Sequence, residues 1–186
     1  MRAWCFRGIG LLASLLVLFA AEPPLPAAPD GFTWARLAEI RADLLKPKGW
    51  TLSRKRKGDS ETYRMTGPKS GAGAGSALDI NWVGDVPGKA KMKPTQYVAT
   101  LISAAGNSHK LLERSSGTLG SLATASFRYQ DSGSGRDSIM VRYQFFANDQ
   151  TGSLYIAAFE ARAQEWTNSW NTGRVLMENF RVDPSF

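Results

Sequence analysis

One cysteine and one histidine among 186 residues remove whole classes of chemistry before any motif is sought. Cys5 has no second thiol to join, so no disulfide framework can be built. It also precedes the first apolar run, where it cannot be the lipid-acceptor cysteine of a bacterial lipoprotein. His109 alone cannot supply the multi-histidine ligand sets that transition metals favour. Acidic residues are the scarcer sign, 16 against 23 basic ones, for a net charge of +7. That excess suits an anionic partner and would steer encounter with it. The missing disulfides are no obstacle to folding, because a domain of about 150 residues buries roughly two thirds of its unfolded surface without them.

The longest uncharged apolar stretch lies at the start. Gly8 to Ala21 holds fourteen residues without a charge, behind Arg2 and Arg7. A basic start followed by a short apolar run is the pattern of a secretory signal. At about 1.5 Å per residue the run falls short of the roughly twenty residues that a membrane span needs. Residues 1–21 are therefore read as a signal peptide and the protein as exported, periplasmic or extracellular. Cutting after Ala20 or Ala21 would leave Leu18 or Phe19 at the minus-three position, neither of them small, so an uncleaved anchor is the alternative. Residues 22–30 contain Pro23, Pro24, Pro26 and Pro29 and read as a stiff spacer standing clear of the domain. Residues 31–186 then form a single globular domain.

Periodicity supplies the elements. Trp34, Leu37, Ile40 and Leu44 recur at three and four residues, which predicts an amphipathic helix stopped by Pro47 and Gly49. Residues 50–57 and 60–66 flank Gly58 and Asp59 as a tight hairpin. Residues 76–83 give a third strand, with Leu78, Ile80 and Trp82 on one face and Trp82 directed to the core. The glycine-rich stretch 67–75 reads as a mobile loop, and 84–93 as a second loop. Pro94 opens a helix with Tyr97, Val98, Leu101, Ile102 and Ala105 on its apolar face, ended by Gly106 and Asn107. Extended runs follow at 111–114, 121–130, 138–147 and 153–161. In the third of these Ile139, Val141, Tyr143 and Phe145 alternate with Met140, Arg142, Gln144 and Phe146, as in a central strand covered on both faces. Trp166, Trp170, Gly173, Met177 and Phe180 make one stripe of a closing helix, and Gly173 would let that helix approach the sheet closely. The fold class is α+β: a central, twisted, mainly antiparallel sheet with helices on both faces.

Lys46, Pro47, Lys48, Gly49 and Trp50 ahead of the hairpin, the middle helix, the long strands, and a closing helix with Trp166, Trp170, Phe180, Val182 and Pro184 resemble the PsbP-like superfamily. That group includes lumenal subunits of the photosynthetic oxygen-evolving complex and exported bacterial proteins. The resemblance covers most of residues 32–184 and rests on element order and aromatic placement. It implies an antiparallel sheet between helices, and a binding or accessory role rather than catalysis. Metal sites of photosynthetic members use histidine and acidic ligands; with His109 alone, none is carried over.

The candidate binding residues are two basic runs, Arg54, Lys55, Arg56 and Lys57, and Lys89, Lys91 and Lys93. Alternation along a strand puts Arg54 and Arg56 on one face and Lys55 and Lys57 on the other. Such a strand belongs at or near a sheet edge, where lysines also guard against edge-to-edge pairing. Gly71, Gly73 and Gly75 precede a strand rather than a helix, so they read as a linker and not as a phosphate cradle. His109, Asp131 and Ser132 are the parts available for a hydrolytic triad, without a nucleophile elbow. Asp131 and Asp137 could form a weak oxygen site but suit the flanks of a turn. Glu160 and Glu165 could be posed as an acid/base pair but suit a strand end and a helix start.

The leading reading is an exported, non-enzymatic binding or accessory protein that docks on an envelope or membrane-associated partner through its loops and basic edge. The partner is a protein or another anionic envelope component, not nucleic acid, and membrane contact comes only through residues 1–21 if they are retained. No cofactor, metal or catalytic residue is assigned, and the oligomeric state is left open. The alternatives are a carbohydrate or cell-wall binding module and a hydrolase using His109.

Overall fold

Leu37, Ile40 and Leu44 are all buried in one layer, as a helical period would place them, yet the chain that carries them is a hairpin. In a computed structural model, which describes residues 24–58, 60–68, 75–132 and 137–186, β1 (Phe32–Leu37) and β2 (Ala42–Pro47) pair antiparallel. A single 3-10 turn at Ala38–Ile40 joins them, and Arg41 closes it in the left-handed region at φ 45°. The turn resets the phase between the two arms, so residues three and four apart meet in one layer without a helix. Tertiary pairing then decides the outcome: β2 is bound on its other side by β10 (Arg181–Val182), completing a three-stranded sheet. The predicted signal peptide and Gly71 and Gly73 of the glycine-rich loop lie outside the described residues.

The main sheet has seven antiparallel strands: β3 (Thr51–Lys57), β4 (Ser60–Thr66), β5 (Ala77–Val83), β6 (Leu111–Leu119), β7 (Leu122–Asp131), β8 (Ile139–Asn148) and β9 (Ser153–Arg162). Their order is β3-β4-β5-β9-β8-β7-β6, which makes β3 and β6 the edges. The expected hairpin stands, with Gly58 at φ 58° in its turn. β6 is longer than its sequence suggests. Ser115, Ser116 and Gly117 look like turn residues, but pairing with β7 carries the strand on to Leu119, helped by a 2.7 Å contact between the hydroxyls of Ser115 and Ser126. The loop at 84–93 contains a short helix, α1 (Val86–Ala90), capped where the Gly88 N–H donates to Asp85 at 2.9 Å.

Two layers cover the sheet. On one face α2 (Pro94–Ser108) buries Val98 and Ile102 against Phe127, Phe145 and Leu154. On the other, α3 (Trp166–Glu178) and the three-stranded sheet bury Leu44, Leu176 and Met177 with Ile80, Phe146, Tyr155 and Phe159. β8 feeds both cores through the adjacent Phe145 and Phe146, as its alternation predicts. Each such side chain contributes about 1.5–3 kcal/mol when fully buried. The spacer expected to stand clear of the domain touches it at two points: Ala28 packs on the larger core and the Trp34 indole N–H donates to the Pro26 carbonyl at 2.7 Å.

Candidate functional site

The first basic run occupies the free edge of the main sheet, and its two faces have different fates. Arg54 and Arg56 share the face of Leu52, which packs toward the larger core. Arg54 donates to both oxygens of Glu61, at 2.9 and 3.1 Å, and also meets Glu39. Glu39 in turn accepts from the Tyr63 hydroxyl at 2.7 Å. The Glu61 side chain is only 6% exposed, so a charge there needs a partner at hand. Arg54 supplies it, and its hydrogen bonds hold the Glu61 carboxyl below the usual carboxylate range. The Tyr63 hydroxyl does the same for Glu39, while burial pushes the Tyr63 phenol up. Arg56 stands 3.4 Å from Glu61. The two arginines are thus engaged by the fold's own carboxylates.

Lys55 and Lys57 project from the opposite face and meet no carboxylate among the described residues. α2 packs on β7 and β8, which leaves the β3-β4-β5 half of this face open. Its floor is a cavity of about 440 Å³ with Lys55 on its rim and Thr62, Arg64, Asp79, Asn81 and Tyr143 among its walls. Arg64 pairs with Asp79 at 2.5 Å and with Glu160, and the Thr62 hydroxyl donates to Asn81 at 2.7 Å. Half-burial raises the Asp79 carboxyl, and the Arg64 guanidinium opposes that shift. The result is a polar floor held by its own ion pair and hydrogen bond, beside two ammonium groups that meet no carboxylate among the described residues.

The second basic run is dispersed. Lys89 donates to the Gly84 carbonyl at 2.7 Å and lines, with Arg56, Glu61 and Trp82, a cavity of about 570 Å³ on the other side of the β3-β4 hairpin. Lys91 ends α1 in the left-handed region, and the Lys93 backbone N–H donates to Gln96 at the start of α2; neither lines this cavity. Trp82 was expected in the core. It packs there in part, but it also stacks on Phe186 with ring centroids 4.9 Å apart and walls the same cavity. The carboxylates that organise the edge were missed from sequence. The hairpin register does contain that signal, since Arg56 lies directly across from Glu61 and Arg64 across from Asp79.

Among the described residues, no hydrogen bond or ion pair joins the members of the other candidate groups. His109 stacks on Tyr129 at 4.2 Å, whereas the Ser132 hydroxyl lies 3.3 Å from that of Ser138. Asp137 faces Arg162 at 3.4 Å, and Glu165 faces the same arginine at 3.7 Å. Glu160 is held by Arg64.

No known sequence family and no curated protein matches this chain. Solved structures do. The cyanobacterial PsbP (CyanoP) of Synechocystis sp. PCC 6803 is 9% identical with a TM-score of 0.56, over 87% of this chain and 98% of that one. The Ran-binding protein Mog1p of Saccharomyces cerevisiae is 10% identical with a TM-score of 0.52, over 81% and 95%. LpqN of Mycobacterium tuberculosis, involved in cell envelope biogenesis, is 16% identical with a TM-score of 0.51, over 82% and 91%. At these identities the likeness establishes the fold, the PsbP-like α+β arrangement that the element order implies.

Proposed function

We propose that this chain is an exported, non-enzymatic binding or accessory protein that docks on an acidic protein surface of the cell envelope. The docking surface is the β3 edge with the open sheet face beside it. One observation carries the reading: Arg54 and Arg56 are taken up by Glu61 and Glu39, while Lys55, on the rim of the polar floor of Arg64, Asp79 and Asn81, and Lys57 on the same face of the strand meet no carboxylate among the described residues. Two such cations beside a polar surface suit carboxylates presented by a partner. Support for a partner-binding role comes from proteins of the same fold, one of them Ran-binding and another involved in cell envelope biogenesis. His109 stacks on Tyr129 and the Ser132 hydroxyl meets that of Ser138, and no hydrogen bond joins His109 to Ser132 among the described residues, which favours binding over hydrolysis. Lys91 and Lys93 add positive charge on the α2 side without forming part of the floor.

The test is affinity capture from an envelope fraction with the exported protein and its Lys55→Glu, Lys57→Glu double variant, at low and at raised salt. The wild type should capture a protein partner that the variant loses and that salt releases. Equal capture by both forms at low salt overturns the assignment of the surface. Retention on insoluble wall polymer that resists salt would transfer the protein to the carbohydrate-binding class.

A further inference from the structure

The two edges of the main sheet are protected to very different degrees. β3 carries Arg54, Lys55, Arg56 and Lys57 in succession. Pairing β3 antiparallel with its own copy about Lys55 would set Arg54 against Arg56 and Lys55 against itself, and like charges directly opposite destabilise such a pair. β6 has no lysine and no proline, and eight of its nine residues are exposed. It bears Leu112 and Leu119, at 46% and 56% exposure, the exposed large hydrophobic residues among the described ones. Folded proteins usually blunt an edge of that length and character, because its unpaired N–H and C=O groups are a template for another strand.

We propose that β6 pairs antiparallel with β6 of a second copy of this chain, joining two seven-stranded sheets into one. The inference is independent of the docking surface on β3. The strand is self-complementary over residues 113–119, beyond the bulge between Leu111 and Glu113. A two-fold axis at Ser115 sets Glu113 opposite Gly117 and Arg114 opposite Ser116 of the second copy. An axis at Ser116 sets Glu113 opposite Leu119 and Arg114 opposite Thr118. Neither register sets like charges directly opposite one another, and Glu113 is already engaged within its own chain by Arg142 at 2.8 Å. An extended segment of an unrelated chain could use the same hydrogen-bonding groups. Self-pairing is favoured here because the charge pattern repels a second copy at β3 and accepts one at β6.

Two measurements on the full chain test this. Sedimentation of the wild type across a dilution series should show its mass rising toward twice that of the monomer. Ser116→Lys and Leu119→Lys should remain monomeric with melting temperatures unchanged. Directly opposed residues of an antiparallel pair lie about 4.5–5.5 Å apart at Cα, within reach of a disulfide. In a Cys5→Ser background, Ser115→Cys or Ser116→Cys should therefore form a linked dimer under mild oxidation, and Lys55→Cys on β3 should not. This second measurement stands even where a lysine variant fails to fold. A monomeric mass at every concentration, a dimer that survives both lysine variants, equal cross-linking through β3, or a monomer that binds an extended peptide along β6 each overturns the proposal.

Discussion

Gly173 of α3 lies against the ring of Phe159 in β9: a Cβ at position 173 would stand 2.6 Å from Cε1 of that ring. Phe159 is fully buried and braced edge-on by Trp166 and Trp170, each with ring centroids 5.8 Å away, so it has nowhere to move. Gly173→Ala should therefore destabilise the domain by about 1–3 kcal/mol, the usual cost of overpacking, although alanine is the better helix former. Trp170→Ala removes the brace itself and should cost about 3 kcal/mol. Denaturant melts of both variants check this. A gain in stability for Gly173→Ala would mean that α3 sits farther from the sheet.

A second contact ties the three-stranded sheet to the main one. The buried Tyr155 hydroxyl donates to the Ile40 carbonyl at 2.7 Å, reaching the turn between β1 and β2. Tyr155→Phe leaves that carbonyl without its buried donor and should cost about 1–3 kcal/mol. The size of the loss, read from thermal or denaturant melts, reports directly on the turn, because a helix through residues 33–44 would not offer this carbonyl.

That contact also marks the boundary of what the sequence reveals. α2, α3 and the strands β4, β5, β7, β8 and β9 follow from local period, since each carries an apolar face between breakers, and β3 follows from the turn chemistry at Gly58. β1 and β2 do not. Their burial spacing imitates a helix because a 3-10 turn and a left-handed Arg41 stand between two short strands, and pairing with the distant Arg181 and Val182 stabilises the strand form. The candidate site was half legible for the same reason. Alternation places Lys55 and Lys57 on one face, but the carboxylates that absorb Arg54 depend on Glu39, which the misread segment supplies.

Acid should expose the Arg54 network. Hydrogen bonds from Arg54 hold Glu61 below its ordinary value of 4.5, so on acidification the unfolded chain takes up this proton before the folded one does. The stabilisation is whole above about pH 4.5 and is lost as pH falls through the depressed folded-state value. Asp79 acts in the opposite sense, because burial raises its pKa and protonation there favours the folded state. Glu61→Gln should therefore lose less stability than the wild type between neutral pH and about pH 3, and Asp79→Asn should lose more. Parallel slopes for Glu61→Gln and wild type would show that the Arg54 pair adds nothing to folding.

The last prediction separates the basic residues that build the edge from those available to a partner. Reversing Lys55 and Arg56 together, the obvious test from sequence, mixes the two roles, since Arg56 stands 3.4 Å from Glu61. Reversing Lys55 and Lys57 does not, because both leave the strand on the open face. Lys55→Glu with Lys57→Glu should leave the melting temperature nearly unchanged, as surface substitutions usually stay within about 0.5 kcal/mol. The same pair should abolish low-salt capture of an acidic partner, because the attraction acts over a Debye length of about 8 Å at physiological salt and its sign is now reversed. Arg54→Glu should behave oppositely in stability, leaving Glu61 buried beside a second carboxylate and lowering the melting temperature sharply. Melts and capture run side by side on these variants decide it. Stable protein with intact capture after reversal at Lys55 and Lys57 would reduce the basic run to a guard against edge pairing.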